Sequence, residues 1–301
     1  MIRLGTFTPS VLLRVARRTG RLSAAGLEAS EQLVASSPGQ FAALLDGTLD
    51  AVLTSPDNVL AYRYTAANPL GRTADVRILS AVDRGMGLAL YSRLSPVQLR
   101  GRVFGVDVPT SGFAFAMYAL AASLGLGRDD YRVVALGSTP KRLTALLAGE
   151  CDATMLNAGN ELHAERAGVP ALARVSEVCG PYLGTVLAVL QPVPGPPGGP
   201  DDSELRPHDA LAAALTATAA AVCSRELDAE VRAEAQEALG LDEPLAQRYL
   251  ERLCSPTEGL VPDGGVDLAS LHTLIELRRR YGPATEGDPY APALVPGSGL
   301  F

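Results

Sequence analysis

Small polar residues cluster at four points where a strand-like apolar run gives way to a helical one. Thr6-Phe7-Thr8-Pro9-Ser10 follows IRLG, and Ser55-Pro56-Asp57-Asn58 follows DAVLT. Pro109-Thr110-Ser111-Gly112-Phe113 follows GVDV, and Asn157-Ala158-Gly159-Asn160 follows ATML. Hydroxyls, amides and glycine at such a junction cap the first N–H groups of a helix. The same groups make an oxyanion site, because unpaired N–H donors and the positive end of the helix dipole point outward there. One cluster alone is an ordinary cap. Several aimed into one cleft would grip a small acid without any large basic patch.

The segments that carry these clusters recur. LLDGTLDAVLTSPDN at 44–58 returns as LLAGECDATMLNAGN at 146–160, 102 positions on, with Leu-Leu, Gly, Asp-Ala and the closing Asn in register. A proline opens the preceding helical run in both copies, Pro38 and Pro140. Around the first copy, IRLGTF, EQLVAS, DAVLTS, DVRILSAVD and GLALYSR read as strands, and PSVLLRVARRTG, PGQFAALLDG and PDNVLAYRY as helices. Around the second, RVFGVDV, YRVVALG, CDATMLN, VPALARV and GTVLAVLQ read as strands. TSGFAFAMYALAASLG, TPKRLTALLAG and GNELHAERAG lie between them as helices. This alternation predicts parallel sheet with crossover helices, in two α/β units of one plan. The Pro- and Gly-rich stretch PVPGPPGGPDDSELRP (192–207) reads as a linker. Four helical runs follow, and the last residues read as an irregular tail on the surface. LRRRYG (277–282) reads as a solvated helix end, where arginine complements the dipole.

Composition narrows the function. Apolar residues make up 47% and charged residues 20% of 301 positions, as in a globular protein. The net charge of −7 argues against a nucleic-acid partner, which needs a basic face. Cys151, Cys179, Cys223 and Cys254 have no metal-ligand spacing, and only His163, His208 and His272 could join them, so no metal or other cofactor is expected. No GxxxxGK[ST] or GxGxxG stands at a strand–helix turn, and no GxSxG nucleophile elbow occurs. No apolar run is long enough for a membrane span, so membrane insertion is not expected. MIRLGTF reads as a strand and not as a secretory leader. The expectation is a cytoplasmic protein, or a periplasmic or extracellular one if a leader was removed.

The order of strand, TxxPS and helix, then SPGQFAALLDGTLDAVLTSPDNVLAY, GVDVPTSGFAFAMYALAASLGL and VVALGSTPKRLTALLAGECDATML, resembles the type II periplasmic-binding-protein fold. The similarity lies with the NMT1-like branch, which binds aliphatic sulfonates, nitrate, taurine or thiamine precursors, and covers about residues 1–190 best. It implies an α/β fold of two Rossmann-like lobes with a ligand cleft between them and a helical C-terminal region. Lobe I would take 1–93, lobe II 94–183, and 184–301 would return to lobe I, with 87–93 and 184–190 as hinge strands. The resemblance also implies site residues. An acidic group would sit near Thr110, Ser111 and Gly112. The other end of the ligand would meet Thr8, Pro9, Ser10, Ser37, Ser55, Asp57 and Asn58. Asn157 and Tyr182 would line the rear, and Phe7 and Phe113 would form apolar walls. The Pro-rich insertion is not typical of the branch.

Three functions fit such a cleft. The leading one is a solute-binding protein that holds a small organic anion and delivers it to an ABC permease, if the chain is exported. The alternative is a cytoplasmic, metal-free lyase on the same fold, a dehydratase or decarboxylase acting on a small carboxylic acid. It would need a positioned acid or base, for which the candidates are Asp57, Glu161, His163, Cys179 and Tyr182. Asp57 follows a strand directly, Glu161 sits in a first helical turn, and His163 reads as a surface residue. The third is a stand-alone ligand sensor, like the effector half of LysR-type regulators.

Overall fold

The computed structural model describes residues 1–191, 207–285, 287–295 and 297–301. The proposed linker lies outside the described residues except for Pro207. The first unit runs β1 (Ile2–Thr6), α1 (Val11–Arg18), a single turn α2 (Arg21–Ala24), β2 (Ala29–Leu33), α3 (Ser37–Leu45), β3 (Ala51–Thr54), α4 (Pro56–Tyr64) and β4 (Val76–Asp83). The second runs β5 (Ala89–Ser92), β6 (Val103–Val106), α5 (Gly112–Ser123), β7 (Arg132–Ala135), α6 (Thr139–Ala148), β8 (Ala153–Leu156), α7 (Asn160–Arg166), β9 (Ala171–Arg174) and the short α8 (Val175–Val178). β10 (Thr185–Leu190) then precedes α9 (Pro207–Cys223), α10 (Asp228–Leu239), α11 (Glu243–Leu253) and α12 (Leu268–Tyr281).

The strands form two five-stranded sheets, ordered β2-β1-β3-β10-β4 and β7-β6-β8-β5-β9. In each, three parallel strands are followed by one that runs antiparallel to both its neighbours, β10 or β5, so the fifth strand again points with the first three. The orders superpose strand for strand, so the internal repeat is a repeat of topology. The shared aspartate explains part of the shared spelling. Asp50 accepts the Arg3 N–H at 2.7 Å and its own N–H donates to the Arg3 carbonyl. Asp152 does the same for Val103, at 2.8 Å. This Asp ties the start of β3 to that of β1 in lobe I, and the start of β8 to that of β6 in lobe II, satisfying a donor at the sheet end. The side chains one helix earlier also match. Gln40 donates to the carbonyl of Leu53, and Arg142, 102 positions later, donates to that of Met155.

One boundary differs from the sequence reading. GLALYSR was expected to close lobe I, but β5 pairs with β8 and β9 and so belongs to lobe II. An isolated strand-like run carries no mark of the sheet it will join. The chain crosses between lobes at Asp83–Leu88, where Gly85, Met86 and Gly87 all take positive φ, and returns before β10. β10 lies in the first sheet, as a strand returning to lobe I should. The C-terminal helices also divide. α9 packs on β4 and α1, and α10 on α1, whereas α12 packs on both α4 of lobe I and α5 of lobe II. Nor does the irregular tail lie wholly on the surface: Tyr290 and Leu300 are buried, and the Leu300 carbonyl accepts the Ile78 N–H. Among the described residues no single helix is long and apolar enough to cross a membrane.

Candidate functional site

A cavity lies between the lobes, where the carboxyl ends of the parallel strands meet helix starts. It offers about 130 Å3 to the centres of water molecules, room for on the order of ten waters or a small organic molecule. Lobe I contributes Thr8, Pro9 and Ser10 after β1, Ser37 at the start of α3, and Ser55 and Asn58 around the start of α4. Lobe II contributes Ser111, Gly112 and Phe113 at the start of α5, and Asn157 after β8. Phe7 also lines it. The polar clusters of the two halves thus do come together.

The local reasons are helix caps. Ser10 Oγ accepts the Leu13 N–H, Ser55 Oγ the Asp57 N–H, and Ser111 Oγ the Ala114 N–H. Prolines at 38, 56 and 140 open α3, α4 and α6, where a missing N–H costs nothing. Such caps leave other first-turn N–H groups without an acceptor in their own helix. Those of Val11 and Leu12 in α1 and of Gly112 and Phe113 in α5 belong to residues of the cavity wall.

The lobes touch around this space. The Ser37 N–H donates to Asp107 Oδ2 at 3.1 Å, the Ser138 N–H to the Ala35 carbonyl at 2.9 Å, and Asn160 Nδ2 to Thr8 Oγ1 at 3.3 Å. Gly112 sits so close to Asp57 that an added Cβ would lie 2.5 Å from the Asp57 Cβ. Only glycine permits that approach.

Three proposed ligand contacts fall elsewhere. Asp57 is 1% exposed and does not line the cavity, because both its oxygens accept from Arg278, at 2.7 Å each. Arg278 comes from the LRRRYG helix end that reads as solvated, yet it is 3% exposed. Burial pulls its guanidinium down, but the Asp57 charge and hydrogen bonds outweigh this and raise its pKa. Thr110 is exposed, one residue ahead of the cap that faces inward. Tyr182 is buried beside the cavity and not in its wall, and burial pushes its phenol far up.

The other acid–base candidates are also off the wall. Glu161 is fully buried, with Oε2 accepting the Gly159 N–H, and burial, only partly countered by Arg252, raises its carboxyl to about 7. His163 is half-buried and not on the open surface, since its Nε2 meets the Leu239 carbonyl at the end of α10. The Cys179 thiol packs against the main apolar core, and burial raises it to about 11.

Sequence reasoning missed other wall residues. Arg142 of α6 is 2% exposed, and burial, opposed by the nearby Asp107 charge, lowers its guanidinium to about 10. Asp107 directly follows β6, and Asp83 ends β4 at the crossover. Burial lifts Asp83 to about 6, against the pull of Thr185, Gly85 and Arg84. The alignment of Arg142 with Gln40, and the place of Asp107 immediately after a strand, were available as signals. Tyr249, Leu253 and Leu260 from the C-terminal region complete an apolar wall. No sequence signal tied them to a site 100 residues or more away.

Two similar α/β lobes joined by two crossovers, with a cavity between them, define the type II periplasmic-binding-protein fold. Solved structures bear this out. The periplasmic nitrate-binding protein NrtA of Synechocystis PCC 6803 superposes with a TM-score of 0.73 at 11% identity, over 96% of this chain and 84% of that one. The alkanesulfonate-binding protein SsuA of Xanthomonas axonopodis pv. citri, solved with MOPS bound, gives 0.70 at 15% identity, over 94% of each chain. A ligand-binding component of an ABC-type import system from Staphylococcus aureus gives 0.71 at 13%, over 100% of this chain and 99% of that one. No family model matches the sequence, and no curated protein matches it.

Proposed function

We propose that the protein binds a small organic acid between its lobes and delivers it, unchanged, to an ABC permease. The observation that carries this is the cavity into whose wall the starts of α1 and α5 and the Arg142 side chain converge. First-turn N–H groups and a guanidinium that is not neutralised by a bonded carboxylate favour an anionic group there. The apolar wall of Phe7, Phe113, Leu253 and Leu260 suits the carbon skeleton of such an acid. Support for transport comes from the neighbours named above, which include sulfonate- and nitrate-binding proteins and an importer component. The lyase reading is weakened because none of its five candidates lines the cavity. It would have to fall back on Asp83 or Asp107.

Native mass spectrometry of protein purified from its host should find a co-purified acid whose mass does not change on incubation. Ser111→Asp places a carboxylate at the start of α5. It should weaken acid binding at least tenfold in calorimetry. Unchanged affinity in that variant sinks the proposed anion site, and a mass change of the bound acid sinks the carrier reading.

A further inference from the structure

The cavity wall holds a negative charge that an acid-binding site has no use for. Asp107 is 9% exposed and lines the cavity. Its Oδ2 accepts the Ser37 N–H across the lobes, whereas Oδ1, buried from solvent, has no hydrogen-bond partner among the described residues. Arg142, the arginine of the same wall, is engaged elsewhere. Its Nε and Nη2 donate to the Met155 carbonyl, Nη2 also to Thr139 Oγ1, and Nη1 to the Gly137 carbonyl. A guanidinium has five N–H donors, so one on Nη1 remains for a ligand. Arg142 and Asp107 thus leave one cationic donor and one anionic acceptor unused in the wall, with no hydrogen bond or ion pair joining the two residues.

A ligand made only of acceptors, such as nitrate or an unsubstituted alkyl sulfonate, would satisfy Arg142 and the α5 start. It would leave Asp107 Oδ1 buried, unpartnered and repelled by a like charge, which is costly in a closed space. A ligand that also carries an ammonium group satisfies both. We propose that Asp107 determines specificity, accepting a hydrogen bond from the amine of a zwitterionic acid whose anionic end lies on Arg142 and the α5 start. This rests on the acid-binding reading above and adds the amine to it.

Calorimetry with two matched probes tests it: 3-aminopropanesulfonate and propanesulfonate. The amine-bearing probe should bind the wild-type protein tenfold to a hundredfold more tightly, the range of a hydrogen bond to a charged group. In Asp107→Asn, which keeps an acceptor for the Ser37 N–H and loses the charge, the ratio should collapse, chiefly through tighter binding of propanesulfonate. Equal affinities in the wild-type protein overturn the role of Asp107 while leaving acid binding intact, as does a ratio that survives in Asp107→Asn. Binding of neither probe to the folded wild-type protein overturns both readings. The wild-type ratio needs no variant to fold, so it stands as a test by itself.

Discussion

The Asp57–Arg278 pair is where a single substitution should tell most about how the molecule is held together. Both side chains are almost fully buried, and the guanidinium lies over the Phe115 ring of α5, 5.2 Å from its centroid. One contact set thus joins α12 to α4 of lobe I and α5 of lobe II. Arg278→Met keeps most of the apolar stem but leaves the Asp57 carboxylate buried without its partner. Breaking a buried pair from one side costs about 3–5 kcal/mol. At about 2–4 °C per kcal/mol for large domains, the melting temperature should fall by roughly 6–20 °C. Asp57→Leu should cost a similar amount. The double variant has no stranded charge, so it should be clearly more stable than the sum of the single losses implies. Urea unfolding followed by circular dichroism measures all three. Single losses below about 1 kcal/mol, or strict additivity, would refute the idea that this pair is a coupled, desolvated unit.

Other outcomes follow from neighbouring geometry. Gly112→Ala drives a methyl into Asp57 and should cost about 1–3 kcal/mol by overpacking; calorimetry should also show weaker ligand binding, because the α5 start must back away from lobe I. Asp83 has its carboxyl raised from 3.8 to about 6 by burial. The folded state then holds the proton more tightly than the unfolded one, so this group's contribution to stability falls as pH rises from about 4 to 6. Asp83→Asn should abolish that decline and gain on the order of 3 kcal/mol over the wild type at pH 7, measured by urea unfolding across that range. Asp50→Ala and Asp152→Ala should each lose about 1–3 kcal/mol, since each strands a strand-start N–H. Hydrogen exchange at Arg3 and Val103 would locate the damage.

What was legible in the sequence was local. The helix starts at Ser10, Ser55 and Ser111 are written in cap chemistry that acts within three residues, and the repeat fixed which strand follows which. Asp50 and Asp152 are identical because they perform the same task on the same backbone geometry. Contacts between distant segments were not legible. Asp57 and Arg278 meet 221 positions apart, and each alone obeys a local rule, an acid at a helix start and a base at a helix end, that conceals their pairing. GLALYSR is apolar on either sheet, so its lobe is decided by pairing partners and not by its own residues. The missed wall residues share that cause: Arg142 is one of several helical arginines, and only the packing of α6 turns its side chain inward.

The correspondence of Gln40 with Arg142 has a consequence for any guest molecule. The scaffold is twofold in plan, yet at matching places one half buries a neutral amide outside the chamber wall and the other puts a guanidinium into that wall. Pseudo-symmetry alone would let a molecule enter either way round. This mismatch gives the chamber a polarity, so an occupant has a head and a tail.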